Sequence, residues 1–218
     1  MRSASIVSPH DQKVTFVELF FDLVFVFSVT QVVGVLHHGL NGASVLQAVL
    51  VFWLVWWGWT QFTWALNAAD TTHHLVELAT LAATAVAFFM AVAVPDAFAA
   101  GALRFALPYV IVRVLGLMLY GWVAQAADKA QHAAVQRFCY LSSAGLIAVL
   151  VGAVLGGPAQ YWVWALAILL DVIAAAYAMT PHSIGKWSRL KTSRPIVDLC
   201  APCASSSARS STGFARAK

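Results

Sequence analysis

Polar residues interrupt this chain so rarely that the interruptions alone outline it. Six apolar segments stand between them, near 14–36, 43–66, 75–94, 102–123, 136–155 and 160–180. Each meets the requirement of about 20 residues for a helix that crosses a hydrocarbon layer of roughly 30 Å. A helix is also the form in which one segment satisfies its own backbone away from water. The pattern predicts an all-α fold, a polytopic transmembrane helix bundle of about six spans. It divides the chain into a cytoplasmic N-terminal segment 1–13, a six-helix transmembrane domain 14–181 and a basic cytoplasmic tail 182–218, expected to be disordered.

The first span superficially looks like a secretory signal, because polar residues with Arg2 and Lys13 precede it. Its apolar run is longer than the roughly 7 to 15 residues of a signal core, contains acids and lacks a small-x-small cleavage site. Basic residues near span ends stay on the cytoplasmic side. With the N-terminus inside, the cytoplasmic segments hold Arg2, Lys13, Lys129, Arg137 and the tail residues Lys186, Arg189, Lys191, Arg194, Arg209, Arg216 and Lys218, leaving Arg104 outside. An even number of helices returns the tail to the same side, so span count and charge agree on two cytoplasmic termini.

Composition supports the same reading. Apolar residues make up 61% of the chain and charged ones 10%, where a soluble domain carries about a quarter. The mean hydropathy is +0.78. A pI near 9.2 could suggest nucleic acid, but the bases sit at span ends and in the tail rather than on an amphipathic face, so no nucleic-acid partner is expected. The bilayer is the expected partner, with an ion or small solute and a second copy of the chain as further candidates.

Against this apolar background a few charges stand out. Glu18 and Asp22 lie four residues apart within Val14 to Gln31, so they share one helix face. A carboxylate at mid-bilayer costs about 2.5 to 3.5 kcal/mol on insertion scales, which places such groups against a partner or a watery cavity. Arg113 falls mid-span in the fourth segment and Asp171 mid-span in the sixth. At 1.5 Å per residue, Asp22, Arg113 and Asp171 all lie roughly 9 to 15 Å from the cytoplasmic boundary. One arginine can serve two carboxylates through its fork of donors, so Asp22 paired with Arg113, with Asp171 sharing the guanidinium, is the expected intramembrane cluster, Glu18 beside it. Glu77, opening the third segment, and Thr30 are secondary candidates. The cluster has two open readings: it orders the bundle, or it relays protons or cations.

Other residues carry weaker signals. His73 and His74 lie near Asp70 and Glu77 in a short loop, but neither HExxH nor CxxC occurs beside them, so no metal site and no cofactor are expected; His37 and His38 are read as solvated. Trp53, Trp56, Trp57, Trp59 and Trp64 crowd the second segment beyond what an interfacial belt uses, so some must pack inside the bundle. Gly152 and Gly156 have the GxxxG spacing suited to close helix approach, as do Ala79, Ala82, Ala83, Ala87 and Ala91 in the third segment. Cys139 sits beside a span, and Cys200 and Cys203 spell CAPC in the tail without the βαβ context of a redox motif.

The run FVELFFDLVFVFSVTQ, Phe16 to Gln31, resembles the opening signature of the bacterial low temperature requirement protein A (LtrA) family of integral membrane proteins. The resemblance continues through WLVWWGWTQFTWALNAAD (Trp53 to Asp70), AVAVPDAF (Ala91 to Phe98) and LPYVIVRVLGLMLY (Leu107 to Tyr120), and stops near Pro181. Where members of that family continue with a segment like HxxERxGLFxIIxLGES, this chain reads HSIGKWSRLKTSRPIVDLC, which suggests a truncated or frame-shifted product. The resemblance implies a multi-pass protein of the bacterial inner membrane and little chemistry. FFDLVFVFSVT, Phe20 to Thr30, also resembles the FSDAVFAIxxT signature of lysosomal and prokaryotic potassium channels built from six-helix units, matching at Phe20, Asp22, Val24, Phe25 and Thr30. Phe21 stands where those channels have serine and no arginine precedes the motif, so their pore chemistry does not carry over.

Three function classes follow. No GxSxG elbow, glycine-rich phosphate loop or metal-ligand pattern is present, so an enzyme is not expected. Buried acids, an embedded arginine and inside-facing termini favour an ion or small-solute transporter, or a channel-like protein. The alternative is a structural or stress-adaptation membrane protein acting through lipids or partner proteins.

Overall fold

The computed structural model describes residues 15–36, 41–99, 101–125 and 129–178. Arg2, Lys13, His37, His38, Asp128 and the tail with Cys200 and Cys203 lie outside the described residues. Among those described, six long helices run in order and no strand occurs: α1 (Phe16–Leu36), α2 (Gly42–Ala68), α3 (His74–Ala93), α4 (Ala102–Gln125), α5 (Lys129–Leu155) and α6 (Gly157–Ala178), with a 3-10 turn at Val94–Asp96 after α3. Each helix contains a stretch long and apolar enough to cross a membrane.

The helices begin where the sequence offers caps. Asn41 precedes α2, and its side-chain oxygen accepts from the Ser44 N–H at 2.9 Å and from the Ser44 hydroxyl at 3.0 Å. His73 caps α3, its Nδ1 accepting from the Leu75 N–H at 3.3 Å, while Asp70 accepts from the Thr72 N–H and hydroxyl in the turn before it. This loop group thus works as turn and cap. Gly156 and Gly157, at φ +62° and +56°, make the reversal between α5 and α6 in a backbone region that few other residues enter cheaply.

Packing places α4 at the centre, against α2, α3 and α5, while α1 lies on α2, α3 and the 3-10 turn, and α6 lies on α5 and α2. The buried face of α4 follows helical spacing, with Phe105, Tyr109, Val112 and Gly116 in one row and Ala106, Arg113 and Leu117 beside it. Aromatic rings fill the interior: Phe21 stacks on Phe62 at 4.5 Å between centroids, and Trp164, wholly buried, donates its indole N–H to the Val149 carbonyl at 3.0 Å. The outside is equally apolar. Phe89 and Met118 are exposed over about two thirds of their surface, 67% and 66%, as lipid-facing side chains should be. Hydroxyls inside the spans turn back on their own helices, as in Ser28 to the Val24 carbonyl and Thr84 to the Thr80 carbonyl.

Candidate functional site

A single ion pair occurs among the described residues, and it lies in the core. Arg113 of α4 is fully buried, and its Nη2 donates to Asp171 Oδ1 of α6 at 2.6 Å. Two glycines border this pair, from α2 and α5, and a third, on α4, borders Gln61. A Cβ on Gly58 of α2 would lie 3.9 Å from Arg113 Cδ and 3.5 Å from the Tyr109 ring. On Gly145 of α5 it would meet Asp171 Oδ1 at 3.5 Å. On Gly116, nearly one turn past Arg113, it would crowd the Gln61 amide at 3.0 Å. Small residues thus let charged and polar side chains lie flat between closely packed helices.

The neighbours of the pair are polar as well. The Trp57 indole N–H of α2 and the Ser142 hydroxyl of α5 come close enough to the Asp171 carboxylate to act on it, although neither meets full hydrogen-bond geometry. The Tyr109 ring centroid lies 5.9 Å from the Arg113 guanidinium carbon. The grooves on the surface lie away from this centre. One between α4 and α5 is lined by Met118, Trp122, Cys139 and Tyr140, the other by Phe98, Ala153, Gly156 and Gln160.

The structure unites two of the charges expected to cluster and separates the others. Asp171 is the acid bound to Arg113; Asp22 is not its partner. Asp22 is half-buried on α1 and accepts a hydrogen bond from the Trp59 indole of α2 at 2.8 Å. The reason is helix arrangement, since α1 packs mainly against α2 and α3 while Arg113 on α4 turns toward α6. Glu18 is half-buried in the first turn of α1, and Glu77 is exposed in the first turn of α3, positions where a carboxylate is favoured by the helix dipole. Thr30 is exposed and donates to the Phe27 carbonyl of its own helix at 2.6 Å. Cys139, expected beside a span, lies within α5 and is half-buried near the Leu117 carbonyl.

What the sequence reading missed is the role of the tryptophans. Trp57, Trp59 and Trp64 do pack against the core, but two of them also face carboxylates: Trp59 holds Asp22 and Trp57 approaches Asp171. Residues two apart on a helix point roughly 200° away from one another, so α2 sends one indole toward α1 and one toward α6. That spacing was a visible signal. Gln61, one turn beyond Trp57 and 1% exposed, went unnoticed because a single amide in an apolar run carries no motif.

The described spans also account for the family signature. The opening run, Phe16 to Gln31, lies wholly within α1 with Phe21, Val24, Phe25 and Ser28 buried, and the arginine of the LPYVIVRVLGLMLY segment is the buried partner of Asp171. A curated relative, an uncharacterized protein of Rhizobium meliloti (strain 1021), is 36% identical over 102 residues, which cover 47% of this chain. The match spans 25% of that relative's length. No solved structure matches. The family model for the bacterial low temperature requirement A protein (LtrA) matches residues 13–195, across all six helices and past Pro181, where the motif resemblance stops, and the chain therefore belongs to that family.

Proposed function

We propose that this protein is an ion or small-solute transporter of the bacterial inner membrane, with both termini in the cytoplasm. The observation that carries the reading is the Arg113–Asp171 pair, fully enclosed by four helices and bordered by polar side chains without partners of their own. Replacing a buried ion pair by apolar residues of similar volume is often neutral or stabilising, so a pair of this kind is weak support for a purely structural role. Ionisable groups at membrane depth mark substrate and ion pathways by default.

Purified protein in proteoliposomes, assayed for flux across a panel of cations, anions and protons, tests this. Flux above empty liposomes that Asp171→Asn abolishes is the expected result. Flux absent throughout the panel, or unchanged in the folded Asp171→Asn variant, would remove the reading. Orientation is tested separately by the reporter fusions described below.

A further inference from the structure

The surroundings of Arg113 are short of hydrogen-bond acceptors. Its Nη2 is bonded to Asp171, but Nε and Nη1 are buried without partners. The same holds for the Tyr109 hydroxyl and both polar atoms of the Gln61 amide, while the Trp57 indole N–H and the Ser142 hydroxyl reach the Asp171 carboxylate without full hydrogen-bond geometry. These groups stand on the helices that surround the pair. Gly58 lies against both Arg113 and Tyr109, Trp57 is its chain neighbour, and Gln61 is one turn further along α2 and rests on Gly116 of α4. Trp57 and Ser142 approach the carboxylate that holds Arg113. The indole and guanidinium nitrogens can only donate, and of the unpartnered atoms around the pair the Gln61 carbonyl is the one that can only accept. Buried polar groups are normally bonded to protein, ordered water or a ligand, so this set calls for an occupant rich in lone pairs.

Charge narrows the occupant. A cation would face the guanidinium. A multiply charged anion would bring uncompensated charge into the bilayer, where it is severely disfavoured. A small monovalent anion fits if the carboxylate releases Arg113 as it enters. One proton then adds to Asp171, forming a carboxylic acid O–H, while the anion becomes the counter-charge of the guanidinium. The centre is neutral before and after, and no bond other than that O–H is made or broken.

We propose that Arg113 is the binding centre for a small monovalent anion of the halide or nitrate class, and that each anion bound is matched by one proton taken up at Asp171. The proposal rests on the transport reading and names its substrate class. Of the groups facing this centre, Asp171 of α6 and Tyr109 of α4 are titratable; α2 contributes Trp57 and Gln61 and α5 contributes Ser142, none of which ionises in the physiological range. Asp22 is engaged by Trp59, and Glu77 on α3 is exposed.

Titration calorimetry of the wild-type protein in detergent tests this without any variant. Sodium bromide or sodium nitrate is titrated against a sodium gluconate control at matched ionic strength, in buffers of differing ionisation enthalpy, which reports protons taken up per anion. Saturable binding with about one proton per anion is expected, tighter at pH 5 than at pH 8. Asp171→Asn should bind the anion with no proton uptake and no pH dependence, and Arg113→Gln should not bind it. Absence of saturable binding at both pH values, binding without proton uptake in the wild type, or binding that survives in Arg113→Gln would each overturn the proposal. Cation flux in proteoliposomes with no anion binding would overturn it while leaving transport intact. Proton-linked anion binding without flux would uphold it and remove the transport reading instead.

Discussion

Gly152 of α5 leaves Trp164 of α6 a space that no other residue could leave: a Cβ at Gly152 would lie 2.5 Å from Trp164 Cδ1 and 2.7 Å from its Nε1. The indole is wholly buried and hydrogen-bonded to the Val149 carbonyl, so it cannot swing aside without losing that bond. Gly152→Ala should therefore destabilise the bundle by about 1 to 3 kcal/mol, the range for overpacking a tight core. Unfolding of the detergent-solubilised protein in sodium dodecyl sulfate, followed by tryptophan fluorescence, measures this.

Gly156 has the same spacing partner but a different task. Nothing lies within 4 Å of its Cβ position, yet its φ is +62°, so Gly156→Ala should cost about 1 to 2 kcal/mol through backbone strain alone. Gly156→Asn should recover part of that loss, because asparagine tolerates the left-handed region, whereas Gly152→Asn should be worse than Gly152→Ala. Equal effects at the two glycines in the same unfolding assay would argue for a common packing role.

The contrast shows how far the sequence could be read. Six spans were legible because a bilayer demands long unbroken apolar runs, and the ends fell close to those expected. The departures occur where helix continues past the apolar window. α5 starts at Lys129 rather than near 136, since its polar first turns add helix the hydropathy pattern does not register, and α6 starts at Gly157 directly after the glycine reversal. Depth along each helix was legible too, which is why Arg113 and Asp171 were matched. Rotation about the helix axis and the choice of neighbour were not. Both depend on which helices pack together, and that left Asp22 assigned to Arg113 when it belongs to Trp59.

Trp59→Phe keeps the ring but removes the donor held by Asp22. Asp22 is half-buried within a span, where its exposed part faces lipid rather than water, so the lost donor is not replaced and a loss of about 1 to 3 kcal/mol is expected, the range for an unsatisfied acceptor. Trp53→Phe, at a position 38% exposed and bonded to nothing, should change stability by less than about 0.5 kcal/mol. Asp22→Asn should lose little in either background. An effect of Trp53→Phe as large as that of Trp59→Phe would mean the tryptophans act as interfacial anchors alone.

Orientation is read by reporter fusions. Alkaline phosphatase joined after Asn41 or Gly157 should be active and joined after Asp70, Asp128 or Thr192 silent, because the basic residues flanking the second group are retained in the cytoplasm. Activity at the Thr192 junction would reverse the assignment of both termini.

The strongest test of the centre is a double-mutant cycle. Arg113→Leu leaves Asp171 as a buried anion with no counter-charge, and Asp171→Leu leaves the guanidinium likewise; each should destabilise by about 3 to 5 kcal/mol, as broken buried pairs do. The double variant replaces the pair by apolar side chains and should recover most of the loss, giving a coupling energy of about 3 kcal/mol or more. The same cycle run on Arg113→Leu with Asp22→Asn should couple by less than about 0.5 kcal/mol, since Asp22 bonds to Trp59 and packs with α2. Coupling to Asp22 as large as to Asp171 would mean that the guanidinium is shared between the two acids. If instead Asp171 alone couples, the folded double variant becomes the instrument that separates structure from work. It keeps the bundle and removes the charges, so loss of flux in proteoliposomes at unchanged stability assigns the pair to transport, and survival of flux assigns it to holding α4 against α6.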